Sequence, residues 1–452
     1  MSNRSSGAIS RRDFLGKSAS VIAGLTILPS HTVSGLGHIA PSDKLNVAAI
    51  GIGGMGRGII ENVAQTENIV ALCDVDWNPA VERVFSTYPD AGRYRDYRLM
   101  LDRQKEIDAV IIATPDHTHA VTSMEAIRRG KHVYTEKPLT HTVYEARMLT
   151  LAAREHKVAT QMGNQGQAGE GPRRLREMIW DGAIGQVHEV HVWTDRPNRG
   201  LSDTYWPQGV SRPEGSAEVP ASLDWDLFVG PAPMRPYNPA YHPFRWRGWW
   251  DFGTGALGDI GCHSFDPVFR ALKLGYPDSV QAVSTLVNNE SYPLGSVVTY
   301  DFPAREDMPP VRLIWYDGGI RPPRPAGIGK GVQLGAGGTL YIGSKGMILG
   351  NRLFPESLHE SYERPEPGIP SSPGHREEWI QACKGGEPAG SSFDWAGPLT
   401  ETVLLGNIAL RPELREKLSY QTLDFDPEKL SFPGLPEADK YLHYEYREGW
   451  KL

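Results

Sequence analysis

The sequence predicts an α/β protein in two parts, a doubly wound parallel sheet followed by an α+β domain with a large, mostly antiparallel sheet. Three observations predict it. Short apolar runs alternate with helical patterns from residue 45 to residue 162. A glycine-rich turn separates the first run from the first helix. After residue 163 the strand-like runs change to alternation of period two.

In the first part "LNVAAI" (45–50), "IVALCD" (69–74), "DAVIIAT" (108–114), "KHVYTE" (131–136) and "KVATQM" (157–162) read as strands. They are apolar throughout, as strands buried on both faces are. Helical patterns lie between them at "GIIENVAQ", "PAVERVFSTY", "AVTSMEAIRRG" and "VYEARMLTLAAREH". Strands separated by helices of this length require parallel crossovers. The boundaries follow: 1–42 precede the fold, 43–162 form the first domain and 163–452 the second.

"AAIGIGGMGRGI" sets Gly51, Gly53 and Gly56 in G-x-G-x-x-G spacing between a strand and a helix, the context that a Rossmann dinucleotide fingerprint requires. Gly51 permits the tight turn, Gly53 a close backbone approach to a pyrophosphate, and Gly56 close packing of helix on sheet. Gly54 and Met55 open the helix, whose free N–H groups face the phosphates. Asp74 ends the second strand eighteen residues after Gly56. A carboxylate there accepts hydrogen bonds from ribose hydroxyls and repels a 2′-phosphate, which favours NAD over NADP.

"ATPDHTHA", "GKHVYTEKPLT", "MGNQG", "DGAIGQVHEVHV" and "GTGALGDIGCHSFD" together resemble the glucose–fructose oxidoreductase, inositol dehydrogenase and rhizopine-catabolism (Gfo/Idh/MocA) family. The resemblance covers nearly the whole chain after the N-terminal segment. It implies that Glu136, Lys137 and Pro138 form a turn beside the nicotinamide, with Lys137 on the substrate and Pro138 cis. It implies that Asp259 and His263 complete the catalytic set, and that Thr114, Pro115, His117 and His119 touch the cofactor. Asn164 and Gln165 are expected to reach the substrate. It also implies a homo-oligomer.

The residues support the catalytic assignment on their own. Positions i and i+4 share a helix face, so Asp259 and His263 can converge on one substrate, with Asp266 on the same face to orient the imidazole. Oxidising an alcohol requires a base for its proton, for which a histidine near neutral pKa is suited. Lys137 then polarises the oxygen as a fixed positive charge. His117 and His119 lack a third partner in sequence for a metal site, and none is expected.

"QVHEVHVWT" and "SVVTYDF" alternate with period two; "SVQAVSTLVN", "VRLIWYDG" and "TLYIG" are further strands of the second sheet. Two helices, "GHREEWIQAC" and "PLTETVLLGNIAL", follow. Residues 197–247 and 317–338 show no periodicity, and loops of that length are usually lids or binding walls. Six of the twelve tryptophans, from Trp193 to Trp250, fall within 58 residues. Most are expected in the core, with one or two, Trp206 or Trp250, stacking on a sugar ring. Arg196, Asn198, His242 and Arg247 are placed to bond its hydroxyls. The expected substrate is a sugar or a glycoside.

The net charge of −7 disfavours nucleic acid and anionic membranes as partners. Cys73, Cys262 and Cys383 are too few and too scattered for a disulfide framework. "SRRDFLGK" (10–17) precedes a short apolar run, the layout of a twin-arginine export signal. The run is too short to span a bilayer, so no stable membrane insertion is expected. The export machinery is then a partner and the periplasm the destination, and NAD has to travel tightly bound. Its hydride would pass to a second substrate or return to the first. The second option makes the protein an NAD-dependent glycoside hydrolase working by oxidation, elimination, hydration and reduction. The Tyr- and His-containing motif of the best-known glycosidase branch is not evident beside Asp259, which favours the oxidoreductase. A non-catalytic sugar sensor is disfavoured by the presence of Lys137, Asp259 and His263.

Overall fold

The computed structural model describes residues 43–418 and 422–452; the paired arginines of "SRRDFLGK" lie outside the described residues. The first sheet is built from β1 (Asn46–Ile50), β2 (Asn68–Cys73), β3 (Gly92–Tyr94), β4 (Ala109–Ile112), β5 (His132–Thr135) and β6 (Thr160–Met162). Its crossovers carry α1 (Gly54–Val63), α2 (Pro79–Thr87), α3 (Tyr97–Arg103), α4 (Asp116–Arg128) and α5 (Val143–His156). The strands pair in parallel in the order β3-β2-β1-β4-β5-β6. Every residue of β4, and of β1 after Asn46, is buried, which is why these runs contain no polar alternation.

The strand order reverses at β1, whose neighbours are β2 and β4. Ligands of open parallel sheets bind outside the carboxyl ends of the strands at such a switch point. Gly51–Gly56 follow β1, Asp74 follows β2, Thr114 follows β4, Glu136–Lys137 follow β5 and Asn164 follows β6. The topology alone therefore gathers the candidate residues of this domain along one edge.

The second sheet has eight strands: β7 (Val187–Trp193), then β10 (Ser279–Ser284), β11 (Ser296–Phe302), β12 (Val311–Tyr316), β13 (Gly338–Gly343), β14 (Met347–Leu349), β15 (Arg352–Phe354) and β16 (Leu423–Asp424). A separate hairpin joins β8 (Asn198–Arg199) to β9 (Asp203–Thr204). All pairs in the large sheet are antiparallel except β7 with β12. Strand β11 alternates buried and half-buried residues along its length, as a sheet packed on one face requires.

Helices of this half are α6 (Glu170–Trp180), α7 (Trp225–Val229), α8 (Gly255–Leu272), α9 (Glu356–Ser361), α10 (His375–Cys383), α11 (Phe393–Ala409) and α12 (Pro412–Leu418). Helix α8 lies on the sheet through Phe265, whose ring meets Tyr300 at 5.6 Å and Trp315 at 5.8 Å edge-on. Helix α11 joins the two halves: Arg147 of α5 donates to Glu401, which is buried, at 2.9 and 2.7 Å.

The 197–247 loop folds on its own apolar cluster of Trp225, Phe228, Tyr241 and Trp246, closed by Trp249 and Phe252. It is fastened to the first domain, where the Trp77 amide and Arg95 both donate to the Ser222 carbonyl, at 3.0 and 2.7 Å. All six tryptophans between 193 and 250 are buried. The expected sugar wall is corrected accordingly. The Trp206 indole donates to Gln208 at 2.7 Å, and the Trp250 indole to the Asn288 carbonyl at 2.9 Å. The Trp206 ring is packed into protein, and the Trp250 ring lies under Arg411 in the wall of a cavity that Lys137, Asp259 and His263 do not line.

Candidate active site

The glycine loop is shaped by contact as well as by conformation. Gly51 has φ of 77°, and a Cβ there would lie 2.6 Å from the Ala113 carbonyl oxygen. A Cβ on Gly56 would lie 1.9 Å from the Gly51 carbonyl oxygen, so the first turn of α1 presses directly on the loop. A Cβ on Gly53 would meet nothing nearer than 3.7 Å, and one on Gly54 nothing within 4 Å. The loop is thus tight toward the sheet and open outward, where Met55 is exposed. An open cradle ahead of a helix N-terminus fits a pyrophosphate.

Asp74 holds this loop in place. Its carboxylate accepts from the Ile52 and Asp76 amides at 2.9 and 3.0 Å, and burial pushes its pKa up to about 6. Each oxygen keeps a further lone pair for a ribose hydroxyl.

The two histidines of "DHTH" are placed differently from the expectation. His117 is fully buried with Nε2 2.9 Å from the Phe228 carbonyl and Nδ1 3.1 Å from that of Phe252. His119 sits between the Pro138 and Thr114 carbonyls, at 2.8 Å from each. Burial lowers both pKa values to about 4, so each ring is neutral and donates to one of its two carbonyls, while its other nitrogen lies against the second. Their work is structural: His117 ties α4 to the aromatic loop, and His119 ties the Thr114–Pro115 turn to the Lys-Pro turn. Thr114 itself accepts from the Thr118 hydroxyl at 2.8 Å.

The Lys137–Pro138 bond is cis. The Lys137 ammonium donates to the Asp259 carbonyl and to Asp259 Oδ1, each at 2.7 Å. Arg247 donates to the same Oδ1 at 3.2 Å and stacks its guanidinium 4.2 Å from both the Phe244 and Trp246 rings. Burial by itself would raise the Asp259 carboxyl, but Lys137 and Arg247 outweigh it and hold the pKa at about 2. Burial works against the Lys137 charge too, and Asp259 reverses this, so the lysine pKa is raised. The pair is ionised at any ordinary pH.

His263 stands one turn further along α8, half-buried, and makes no hydrogen bond or ion pair among the described residues. Burial, then the Lys137 charge, lower its pKa to about 4 against the pull of Asp259. It is a neutral imidazole with an accepting nitrogen available. Asp266 does not orient it, because Asp266 accepts from Arg270 at 3.1 and 3.0 Å and from the Trp395 indole at 2.7 Å.

Glu136 points the other way from Lys137. Its Oε1 accepts from Gln165 at 2.8 Å, and burial raises its pKa to about 7. Gln165 is therefore held by Glu136 and by Tyr134, at 3.2 Å, rather than free for substrate. Asn164 is buried, and both its amide nitrogen and its amide oxygen lack a partner among the described residues. A buried amide with both ends unpaired beside the Lys-Pro turn suits a ligand that both donates and accepts.

Arg196 pairs with Asp195 at 2.9 Å and stacks on Tyr205, and His242 lies 3.5 Å from Asp76 against Phe228. Neither makes a hydrogen bond or ion pair to Lys137, Asp259 or His263 among the described residues. Arg247, read only as a hydroxyl donor, instead belongs to the Asp259 cluster. Asp116 was missed. It is buried, accepts from Thr254 at 2.6 Å, and is raised to about 7 chiefly by burial. Its one signal was its place ahead of the two histidines in "PDHTH".

A family model described as oxidoreductase family, NAD-binding Rossmann fold matches residues 45–164, and one described as oxidoreductase family, C-terminal alpha/beta domain matches residues 173–298. The inositol 2-dehydrogenase/D-chiro-inositol 3-dehydrogenase of Lacticaseibacillus casei is 31% identical over 158 residues, 34% of this chain and 45% of that protein. The alpha-N-acetylgalactosaminidase of Shewanella oneidensis is 29% identical over 234 residues, 44% of this chain and 50% of that protein. The chain thus spans about half the length of the curated relatives it matches. Among solved structures, the WlbA dehydrogenase from Bordetella pertussis, in complex with NADH and UDP-GlcNAcA, superposes with a TM-score of 0.56 at 18% identity, covering 82% of this chain and 97% of that one.

Proposed function

Since the chain belongs to the Gfo/Idh/MocA oxidoreductase family, we propose that it is an NAD-dependent oxidoreductase acting on a hydroxyl of a sugar or glycoside. The observation that carries this reading is the Lys137–Asp259 ion pair with an unpartnered, neutral His263 one helical turn away. Gly51–Gly56, Asp74, Thr114–Pro115 and Asn164 would hold the dinucleotide at the carboxyl edge of the parallel sheet. Bound NAD supplies the acceptor for the hydride that leaves the carbinol carbon.

The side chains divide the remaining work. An ammonium has three N–H donors, and Lys137 commits two of them to Asp259. The third donates to the substrate oxygen and stabilises it as negative charge develops. His263 takes the hydroxyl proton. Asp259 Oδ2 accepts no hydrogen bond from the described residues and is available to a neighbouring hydroxyl, so the site favours a vicinal diol. Arg247 keeps Asp259 ionised and oriented.

The glycosidase relative supports a second reading. Its match runs over 234 residues and 44% of this chain, against 158 residues and 34% for the inositol dehydrogenase. In this reading the same three residues open a redox-neutral cleavage of a glycosidic bond. Export through the twin-arginine route with tightly held NAD, and assembly as a homo-oligomer, complete the proposal.

Incubating the protein with NAD and a panel of free sugars, polyols and aryl glycosides separates the readings. NADH formation from a diol-bearing sugar is expected. Aglycone release without net NADH would replace the dehydrogenase by the glycosidase, and neither signal across the panel would sink both.

A further inference from the structure

Beside the entry to α8 lies a cavity of about 450 Å³ that none of Lys137, Asp259 or His263 lines. Its walls come from the start of α5, the end of α11 and the C-terminal segment 440–445. Four of its lining residues carry a buried polar atom without a partner: His141 Nδ1, Asn407 Oδ1, His443 Nδ1 and the Tyr444 hydroxyl. Folded proteins leave few such atoms unpaired, because each forfeits its hydration without compensation. Here four of the fifteen among the described residues line one cavity.

Arg411 completes the wall. Its guanidinium lies 3.9 Å over the Trp250 ring and 5.1 Å from the Tyr441 ring, yet it makes no hydrogen bond or ion pair among the described residues. The carboxylates around it are engaged elsewhere. Asp251 pairs with Arg235, and Glu413 accepts from Lys440 at 2.9 Å and from the Tyr441 hydroxyl. Glu445 is at the exposed rim. Arg411 is thus a cation in a semi-enclosed aromatic setting that feels the charges of Asp251 and Glu413 but is bonded to neither.

The polarity of the wall specifies the ligand. His141 places Nε2 2.9 Å from the Gly253 carbonyl, so the proton sits there and Nδ1 is an acceptor. Asn407 donates its amide nitrogen to the Thr254 carbonyl at 2.8 Å, which leaves the amide oxygen as an acceptor. Two acceptors call for hydroxyl donors from the ligand, and the planar fork of Arg411 suits an oxyanion such as a carboxylate. A volume of about 450 Å³ is within the usual range for small-molecule sites. We propose that this cavity binds a sugar acid, with its carboxylate on Arg411 and its hydroxyls on His141, Asn407 and Tyr444. The site is separate from the catalytic cluster and does not depend on the reaction assigned to that cluster.

Calorimetric titration of the NAD-loaded full chain with D-glucuronate, D-galacturonate and D-gluconate, against D-glucose as the neutral control, tests this. At least one acid is expected to bind more tightly than glucose, and to bind Lys137→Met as well as it binds the parent. Arg411→Gln is expected to lose about tenfold or more in affinity. Tyr444→Phe guards against misfolding as an explanation. It removes an unpaired buried hydroxyl, so its unliganded Tm is expected to stay level or rise while acid affinity falls about three- to tenfold. Failure of all three acids to bind overturns the proposal. So does binding lost in Lys137→Met but kept in Arg411→Gln and Tyr444→Phe, which would place the acid in the catalytic site. Glucose binding as tightly as the acids would overturn the carboxylate assignment.

Discussion

Lys137 and Asp259 neutralise each other, and this sets the character of His263. An imidazole facing an unpaired carboxylate would be raised above its ordinary pKa. Here burial and the lysine charge prevail and lower it to about 4. The proton-accepting form is the neutral one, so it persists down to about pH 4 rather than being lost near 6.5. The acid limb of kcat/KM is therefore expected near pH 4. Asp116 and Glu136, both raised to about 7, titrate separately above it. His263→Ala is expected to lower kcat by about 10²- to 10⁴-fold, to abolish that acid limb in the residual rate, and to leave NAD affinity unchanged. An acid limb that survives the substitution would remove His263 as the base. At this scale the sequence was informative about identity and poor about partnership. That Lys137, Asp259 and His263 come together was legible through motif and spacing. That His117 and His119 are each held between two backbone carbonyls was not, because those carbonyls belong to residues 5 to 135 positions away.

Helix α1 and the loop before it form one device, since the helix can press on the loop only if position 56 has no side chain. Gly56→Ala puts a methyl group into the Gly51 carbonyl. Neither backbone segment is a flexible side chain that can swing away, so helix and loop must separate. Overpacking of this kind costs about 1–3 kcal/mol. The same separation opens the phosphate cradle, so NAD affinity measured by titration is expected to fall at least about tenfold along with Tm. Normal affinity would mean that the loop's shape does not govern binding. Elements of this sort were readable because period and turn chemistry are local. The parallel strands, the alternating β11 and the two C-terminal helices were all legible. Three-residue strands such as β3, β14 and β15 are too short to show a period. Helix α6 went unread as well, although at eleven residues it is long enough to show one. The 197–247 loop has no period to read because its order comes from aromatic packing and from hydrogen bonds to Ser222, neither of which leaves a local signature.

The two halves of the molecule meet where every catalytic candidate lies. Lys137 comes from the parallel domain, Asp259 and His263 from α8, and Arg247 from the aromatic loop, so the site exists only when all three are docked. The docking is held by buried polar contacts, Arg147 to Glu401 and His117 to Phe228 and Phe252 among them. A dinucleotide lying along the carboxyl edge of the first sheet would touch both halves and stabilise their union. Any ligand that binds only the folded chain raises stability by RT ln(1 + [L]/Kd), about 4 kcal/mol at a thousandfold excess over Kd. Tight retention is what a nucleotide enzyme needs if it leaves the cytoplasm folded, as the paired arginines of "SRRDFLGK" suggest for this one. Protein purified without added nucleotide is therefore expected to release about one NAD or NADH per chain on denaturation, and to lose several degrees of Tm when stripped of it. Release well below one equivalent, with no change of Tm on adding NAD, would mean that the cofactor exchanges freely. The closed hydride cycle would then give way to an ordinary soluble dehydrogenase.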